Sequence, residues 1–294
     1  MSGMSVAPPA ASARLREEQP GWRTLLATIE GRIGIGLLAL VLLLIVVGPL
    51  VAPYPPDEIG VGPPQAPPSG THLLGTDQLG RDVFSRFLHG GATVVLIPLA
   101  ANTLAFLVGG TLGLLGAYWG GRLDRGLARF FDLVIALPSL LLTLILIAGM
   151  GSSWLTLILT IAIVTAPRAG RIVRGAAQAV TVQDYVLAAR LRGDPTARVL
   201  GAEILPNAIS PIVAIFSLYL TYAILAVSTL SFLGLGAQPP SSDWGLMIAQ
   251  SRQFIVTNPW ATLVPAASIA VLAVAFTMLS DAVGRHVVGE GGES

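Results

Sequence analysis

An all-α protein crossing a membrane six times is the fold class that this sequence predicts. Three observations predict it: a composition too apolar for a soluble surface, long stretches free of charge, and a one-sided distribution of arginine. Of 294 residues, 53% are hydrophobic and only 11% are charged, against about 25% in ordinary soluble domains. A soluble fold with so few charges exposes large apolar patches and aggregates, whereas lipid is an apolar solvent for that surface.

Crossing about 30 Å of hydrocarbon takes about 20 helical residues. The first charge-free stretch lies between Arg32 and Asp57, with an apolar core over 33–51. The second lies between His89 and Arg122, with its span inside 94–119. The third, 133–167, is too long for one helix and short for two, and Gly149-Met150-Gly151-Ser152-Ser153 interrupts it as a turn. The last two are 209–233 and 261–279.

Arginine placement decides how often the third stretch crosses. All 17 basic residues are arginine. If that stretch crosses twice, Arg14, Arg16, Arg23, Arg32, Arg122, Arg125, Arg129, Arg168, Arg171, Arg174, Arg190, Arg192, Arg198 and Arg285 share one side. Arg81, Arg86 and Arg252 keep the other. That is a strong positive-inside bias, and a single crossing erases it. The expectation is six spans with both termini cytoplasmic. A cleaved signal peptide is the rival reading of the first span, but its apolar core exceeds the usual length and no clear cleavage site follows. Residues 1–20 read as a disordered tail.

Several classes of chemistry are excluded by residue type. With no cysteine there is no disulfide and no thiolate site. With no lysine there is no GxxxxGK[ST] nucleotide loop. A net charge of +1 gives no reason to expect nucleic acid. No acidic or basic residue is expected in the middle of a span, which disfavours an ion-coupled secondary transporter, although Asn102, Thr103, Thr143 and Tyr222 offer neutral oxygens. His72, His89 and His286 fall in loops or at span ends, so no general base is placed within a span for an intramembrane enzyme.

The outer loop 52–91 opens with a proline-rich run that favours extended chain. Its second half reads Gly75-Thr76-Asp77-Gln78-Leu79-Gly80-Arg81-Asp82-Val83. Asp77 is expected to cap a short helix along the membrane surface, with Leu79, Val83 and Phe84 on its apolar face. A folded loop without a ligand role fits equally well. The second outer loop, 234–258, carries Pro239-Pro240 and Trp244, the latter read as an interface anchor.

In the inner loop, Thr181-Val182-Gln183-Asp184 resembles a capping box opening a helix through Leu191. Gly193 closes it in a left-handed turn. Asp194 then caps a second helix with Pro195 at its first position, and Leu205-Pro206 marks the next break. Ala188 and Ala189 give that hairpin a low-profile surface for a partner's groove, with Arg190 and Arg192 available to acids on its rim. By spacing alone, a hairpin that merely joins two spans fits at least as well.

At this loop the sequence resembles a known family. Asp184-Tyr185-Val186-Leu187-Ala188-Ala189-Arg190, then Gly193, then Leu205-Pro206, looks like the EAA loop of bacterial ABC importer permeases. Leu187 stands where that family usually has glutamate. The Gly75–Val83 segment resembles the G-T-D-x-x-G-R-D segment of the peptide/nickel permease family. Leu230-Ser231-Phe232-Leu233-Gly234-Leu235-Gly236 with Gln238-Pro239-Pro240 and Trp244-Gly245 is similar to a second of its segments, and Asp132, Leu137-Pro138 and Asn258-Pro259-Trp260 also fit. The likeness keeps its order from about 72 to 285, and within the family it is to the C-type subunit of dipeptide and oligopeptide permeases.

The resemblance implies a type I ABC importer permease fold. Residues 1–89 would hold the tail, first span and outer loop, and 90–285 the permease domain, with the EAA loop at about 181–207. It also implies a heterodimer with a homologous permease, ABC ATPase subunits beneath, and an extracytoplasmic peptide-binding protein outside. ATP and Mg would be used by the partner subunits, with no cofactor on this chain. Relatives of this kind carry dipeptides, longer peptides, glutathione, haem or nickel chelates.

Overall fold

The computed structural model describes residues 28–289, with side chains as far as Ala282. The expected tail at 1–20, which includes Arg14 and Arg16, lies outside the described residues, as do Arg23 and the side chains of Arg285 and His286. Helix α1 runs Ile29–Val51, α2 Val83–Trp119, α3 Gly121–Ala136, α4 Ser139–Met150 and α5 Trp154–Thr181. The short α6 is Asp184–Leu191 and α7 is Thr196–Arg198. Helix α8 is Leu205–Phe232, α9 Trp244–Ser251 and α10 Trp260–Gly289. Among the described residues no strand forms beyond one isolated bridge, Thr76 to Asp82.

Five unbroken helices are long and apolar enough to cross a membrane, and α3 with α4, bent by 88° at Leu137-Pro138, supply a sixth crossing. Proline removes an N–H and biases the preceding residue away from helix, which accounts for the bend. Alone, the 12-residue α4 reaches only about 18 Å. Helix-to-helix register shows that the broken pair makes a full return. Ile97 and Ala101 of α2 share a core with Leu157 and Ile161 of α5. Further along, Gly109 abuts the carbonyl of Ala166, and Gly113 that of Gly170. Both numberings rise together, so α2 and α5 are parallel neighbours. The chain between them must therefore recross. Phe131 of α3 lies against Gly170, while Ile147 of α4 packs with Leu157, so the pair runs back alongside α5.

The remaining spans alternate. The Asn102 amide donates to the carbonyl of Phe216 at 3.0 Å, and Leu230 packs at the level of Ile97, making α8 antiparallel to α2. Ser280 of α10 donates to the carbonyl of Ala214 at 2.8 Å. Gly34 of α1 abuts Ala275, Met278 and Leu279, while Gly48 abuts Leu88. The start of α1 and the last part of α10 thus share one end of the bundle. Trp119, α6 and α7 lie at that end, and the 52–82 and 233–259 loops at the other.

Three boundaries differ from the sequence expectation. Helix α5 does not stop at Pro167 but continues to Thr181, so Arg168, Arg171 and Arg174 are helical. Leu205-Pro206 is no break: the helix runs from Thr196 to Phe232. The proline, lacking an N–H, is accommodated by a π-helical turn over Val199–Ile204, in which the Leu205 N–H reaches back to the Leu200 carbonyl. Asp77 caps no surface helix; the helix begins at Val83 with Asp82 as its N-cap and is the span itself.

Candidate functional site

At the end that carries α6, an apolar core fixes the helix. Val186 and Ala189 are fully buried with Ala177, Val199 and Ile204, against Leu114, Leu115 and Tyr118 of α2. The opposite face is bare: Tyr185, Leu187, Ala188 and Leu191 are exposed. The two alanines therefore part company, Ala188 pointing outward and Ala189 inward. Gly193 has φ +77, a region L side chains rarely adopt. The N–H groups of Arg192 and Asp194 return to the carbonyls of Ala188 and Ala189 at 3.0 and 3.2 Å, closing the helix.

Three expected details of this loop fail. The N-cap of α6 is Gln183 with no side-chain cap, because the Thr181 hydroxyl donates to the Gln178 carbonyl within α5. Asp194 does not cap α7; it accepts from Arg192 at 2.9 Å, and Pro195 takes the cap position. Arg190 is not free for a partner's rim. Its guanidinium stacks on the Tyr118 ring and donates to the Tyr118 carbonyl.

At the opposite end the Gly75–Asp82 segment is a buried polar knot. One Asp77 carboxylate oxygen accepts the N–H groups of Leu79 and Arg81 at 2.8 and 3.1 Å, and the other accepts Arg81 Nε at 2.7 Å. Arg86, 1% exposed, donates to the carbonyls of Pro56 and Ser241 and to Gln250 Oε1. Asp82 caps α2 through the Ser85 N–H at 2.8 Å and pairs with His72 Nδ1 at 2.9 Å. The proline-rich run is held to this segment by backbone bonds from Gly60, Gly62 and Gln65 to Leu79, Gly80 and Asp77. Thr76 reaches Pro63, and the Asn258 amide donates to the Leu74 carbonyl at 2.9 Å. The two outer loops therefore form one unit.

Trp244 is not an interface anchor. It is fully buried, stacks on Phe87 with centroids 5.2 Å apart, and donates Nε1–H to the Phe87 carbonyl at 2.8 Å. Its neighbour Asp243 caps α9 through the Leu246 N–H and accepts from Thr93. Burial pushes the Asp243 carboxyl up from its ordinary range, against the lowering effect of those hydrogen bonds. Pro239 and Pro240 stay exposed.

Between α4, α5 and α8 lies a cavity of about 350 Å³, lined among others by Ser139, Thr143, Thr165, Arg168, Tyr219 and Tyr222. The expectation of a charge-free span interior is corrected here, because Arg168 sits between Ala166 and Gly170, the residues that α2 crosses at Gly109 and Gly113. The four neutral-oxygen residues do not converge. Thr143 and Tyr222 line this cavity, Thr103 lines another, and Asn102 is buried between α2 and α8.

Residues 105–289 match the family described as the binding-protein-dependent transport system inner membrane component. The chain belongs to that family. Among curated relatives of this inner membrane component, the dipeptide transport system permease protein DppC of Alkalihalophilus pseudofirmus is 39% identical over 214 residues, covering 73% of this chain and 70% of the relative. The probable D,D-dipeptide transport system permease protein DdpC of Escherichia coli is 37% identical over 247 residues, covering 84% and 83%. The glutathione transport system permease protein GsiD of Pectobacterium atrosepticum is 37% identical over 214 residues, covering 73% and 71%.

One structural feature of this inner membrane component escaped the sequence reading. A Cβ on Gly113 would stand 2.2 Å from the Gly170 carbonyl, so the α2–α5 crossing tolerates only small residues. The signal for it is the small-xxx-small spacing Gly109/Gly113 opposite Ala166/Gly170.

Proposed function

We propose that this chain is the C-type permease of an ATP-driven importer of dipeptides and related small peptides, working as a heterodimer with a homologous permease. The observation that carries the proposal is the bare outer face of α6. Tyr185, Leu187, Ala188 and Leu191 form an exposed apolar patch beyond the bundle, on a helix whose other face is locked to α2 and α5. Exposed apolar patches of this kind mark protein contacts. A rigid helix so mounted transmits movement of a docked ATPase to two spans at once. Leu187, in the place of the usual glutamate, makes this face more apolar and suits an apolar socket on the ATPase.

The end carrying α6 is assigned to the cytoplasm by its arginines: Arg122, Arg125, Arg129, Arg171, Arg174, Arg190, Arg192 and Arg198 lie there, against Arg81, Arg86 and Arg252 at the other. The opposite knot of loops would then receive the peptide-binding protein. ATP and Mg act in the ATPase subunits. The dipeptide cargo follows the names of the relatives, and glutathione is the second candidate because one relative is named for it.

The test is reconstitution of this chain with its neighbouring permease, ATPase and binding-protein gene products in liposomes. ATP-dependent uptake of labelled dipeptide, absent without the ATPase, is the expected result. Uptake of glutathione alone reassigns the cargo, and uptake without any ATPase overturns the importer reading.

A further inference from the structure

We infer that Arg168, within the cavity between α4, α5 and α8, is a docking point for the C-terminal carboxylate of the passing peptide. The inference rests on the importer reading and adds to it a cargo-contacting residue. Arg168 is 14 residues into α5, about 21 Å from Trp154. It is level with the Gly109–Gly113 turn of α2, about 12 Å inside Trp119. Guanidinium at such a depth is costly unless paired, and charges there mark transport paths.

Arg122, Arg125, Arg129 and Arg198, at the α6 end, have no acid partner among the described residues, but six other arginines are paired or stacked. Arg81 and Arg86 face Asp77, Arg171 faces Asp132, Arg174 faces Asp124, Arg192 faces Asp194, and Arg190 is held by Tyr118. Among the described residues no acid pairs with Arg168; its one hydrogen bond is a long 3.4 Å contact to the Val164 carbonyl of its own helix. The guanidinium fork is thus left with donors to spare, in the geometry that a carboxylate takes in a bidentate pair.

The surroundings suit such a ligand. Tyr219 and Tyr222 stand edge to face with centroids 5.9 Å apart, and with Ser139 and Thr165 they bring hydroxyl groups to the same cavity, whereas the Thr143 hydroxyl donates to the Ser139 carbonyl. Hydroxyls of this kind donate to an anion and equally accept from a peptide N–H. The remaining lining is aliphatic and accepts side chains of varied shape. Tyr222 is 56% exposed, so the cavity opens at the surface of this chain. A carboxylate is the one anion shared by all peptides with a free C-terminus, whatever their side chains. A lipid phosphate is the other source of the same chemistry.

Equilibrium binding of labelled dipeptide to the purified complete permease–ATPase complex, without the binding protein, separates the two. Unlabelled dipeptide is expected to compete at least about tenfold better than the same dipeptide carrying a C-terminal amide, the scale of one charge-assisted hydrogen bond. In Arg168→Gln that preference is expected to vanish, while the variant still co-purifies with the second permease and the ATPase in parent yield; Arg168→Lys is expected to recover part of the preference. Equal competition by the amide, a preference that persists in R168Q, no dipeptide binding, or displacement only by dihexanoylphosphatidylglycerol each overturns the inference. Uptake by the full system in liposomes is measured alongside. If the parent imports dipeptide and the preference is absent, this inference alone fails; if the parent imports nothing, the importer reading fails first.

Discussion

The guanidinium carbon of Arg190 lies 4.1 Å from the centre of the Tyr118 ring, and its Nη2 donates to the Tyr118 carbonyl at 2.9 Å. One side chain thereby ties the exposed helix α6 to the last turn of α2. Cation–π stacking adds about 0.5–2 kcal/mol, and a charged hydrogen bond about 1.5–3 kcal/mol. Arg190→Ala is expected to lower thermal stability in detergent by an amount within that range. It is also expected to reduce uptake per ATP hydrolysed more than it reduces ATPase activity, because a loosened α6 transmits less movement. Arg190→Lys keeps charge but loses the planar stack and fork, and is expected to recover less than half of the coupling. Parallel melting curves and uptake-to-hydrolysis ratios check both statements.

Ala188 and Ala189 provide a sharper test, because neighbours in sequence face opposite ways. Ala188→Trp adds bulk on the bare face, and is expected to leave folding intact while preventing co-purification of the ATPase. Ala189→Trp adds bulk to a closed core between α5, α6 and the π-helical turn. Overpacking of this kind costs about 1–3 kcal/mol or more, so this variant is expected to lower membrane yield and melting temperature. Equal behaviour of the two variants would contradict the assigned faces.

The α2–α5 crossing predicts a similar contrast between glycines. A side chain at Gly113 collides with the Gly170 backbone, whereas one at Gly126 of α3 meets nothing within 4 Å. Gly113→Ala is expected to abolish or severely reduce folded protein. Gly126→Ala is expected to be neutral or to stabilise by up to about 1 kcal/mol, the helix propensity difference. Membrane yield and melting temperature measured side by side decide it.

How much of this was legible in the sequence follows from where the information is stored. Span positions rest on hydropathy and charge, which are local, so the Gly149–Ser153 turn and the ends at Val51 and Trp119 agree with the structure. The Gly193 turn was legible for the same reason, since φ +77 is a single-residue property. Capping was not. Thr181 and Asp194 have competing partners, Gln178 and Arg192, that cap-pattern matching ignores. Trp244 and Arg190 were misread because their partners, Phe87 and Tyr118, are far away in sequence. Arg168 falls outside the predicted span because a search for charge-free stretches ends at the first charge, yet the helix continues through Pro167 to Thr181.

The outer loops supply the pH-dependent prediction. Asp243 is buried, and burial holds its carboxyl above the ordinary carboxylate range. The folded state therefore binds this proton more tightly than the unfolded chain, and its contribution to stability falls as pH rises through the carboxylate range, then stays flat. Asn at this position accepts the Leu246 N–H equally well without a charge to desolvate. Asp243→Asn is expected to match or exceed the parent at neutral pH, with the difference growing in the variant's favour as pH rises out of the acid range. Asp243→Ala loses the cap and the Thr93 contact, and is expected to be less stable by at least about 1 kcal/mol at every pH. Melting temperatures of the three proteins from acid to neutral pH check this, and a parent that gains stability relative to D243N as pH rises would show that the Asp243 carboxylate is favourably held instead.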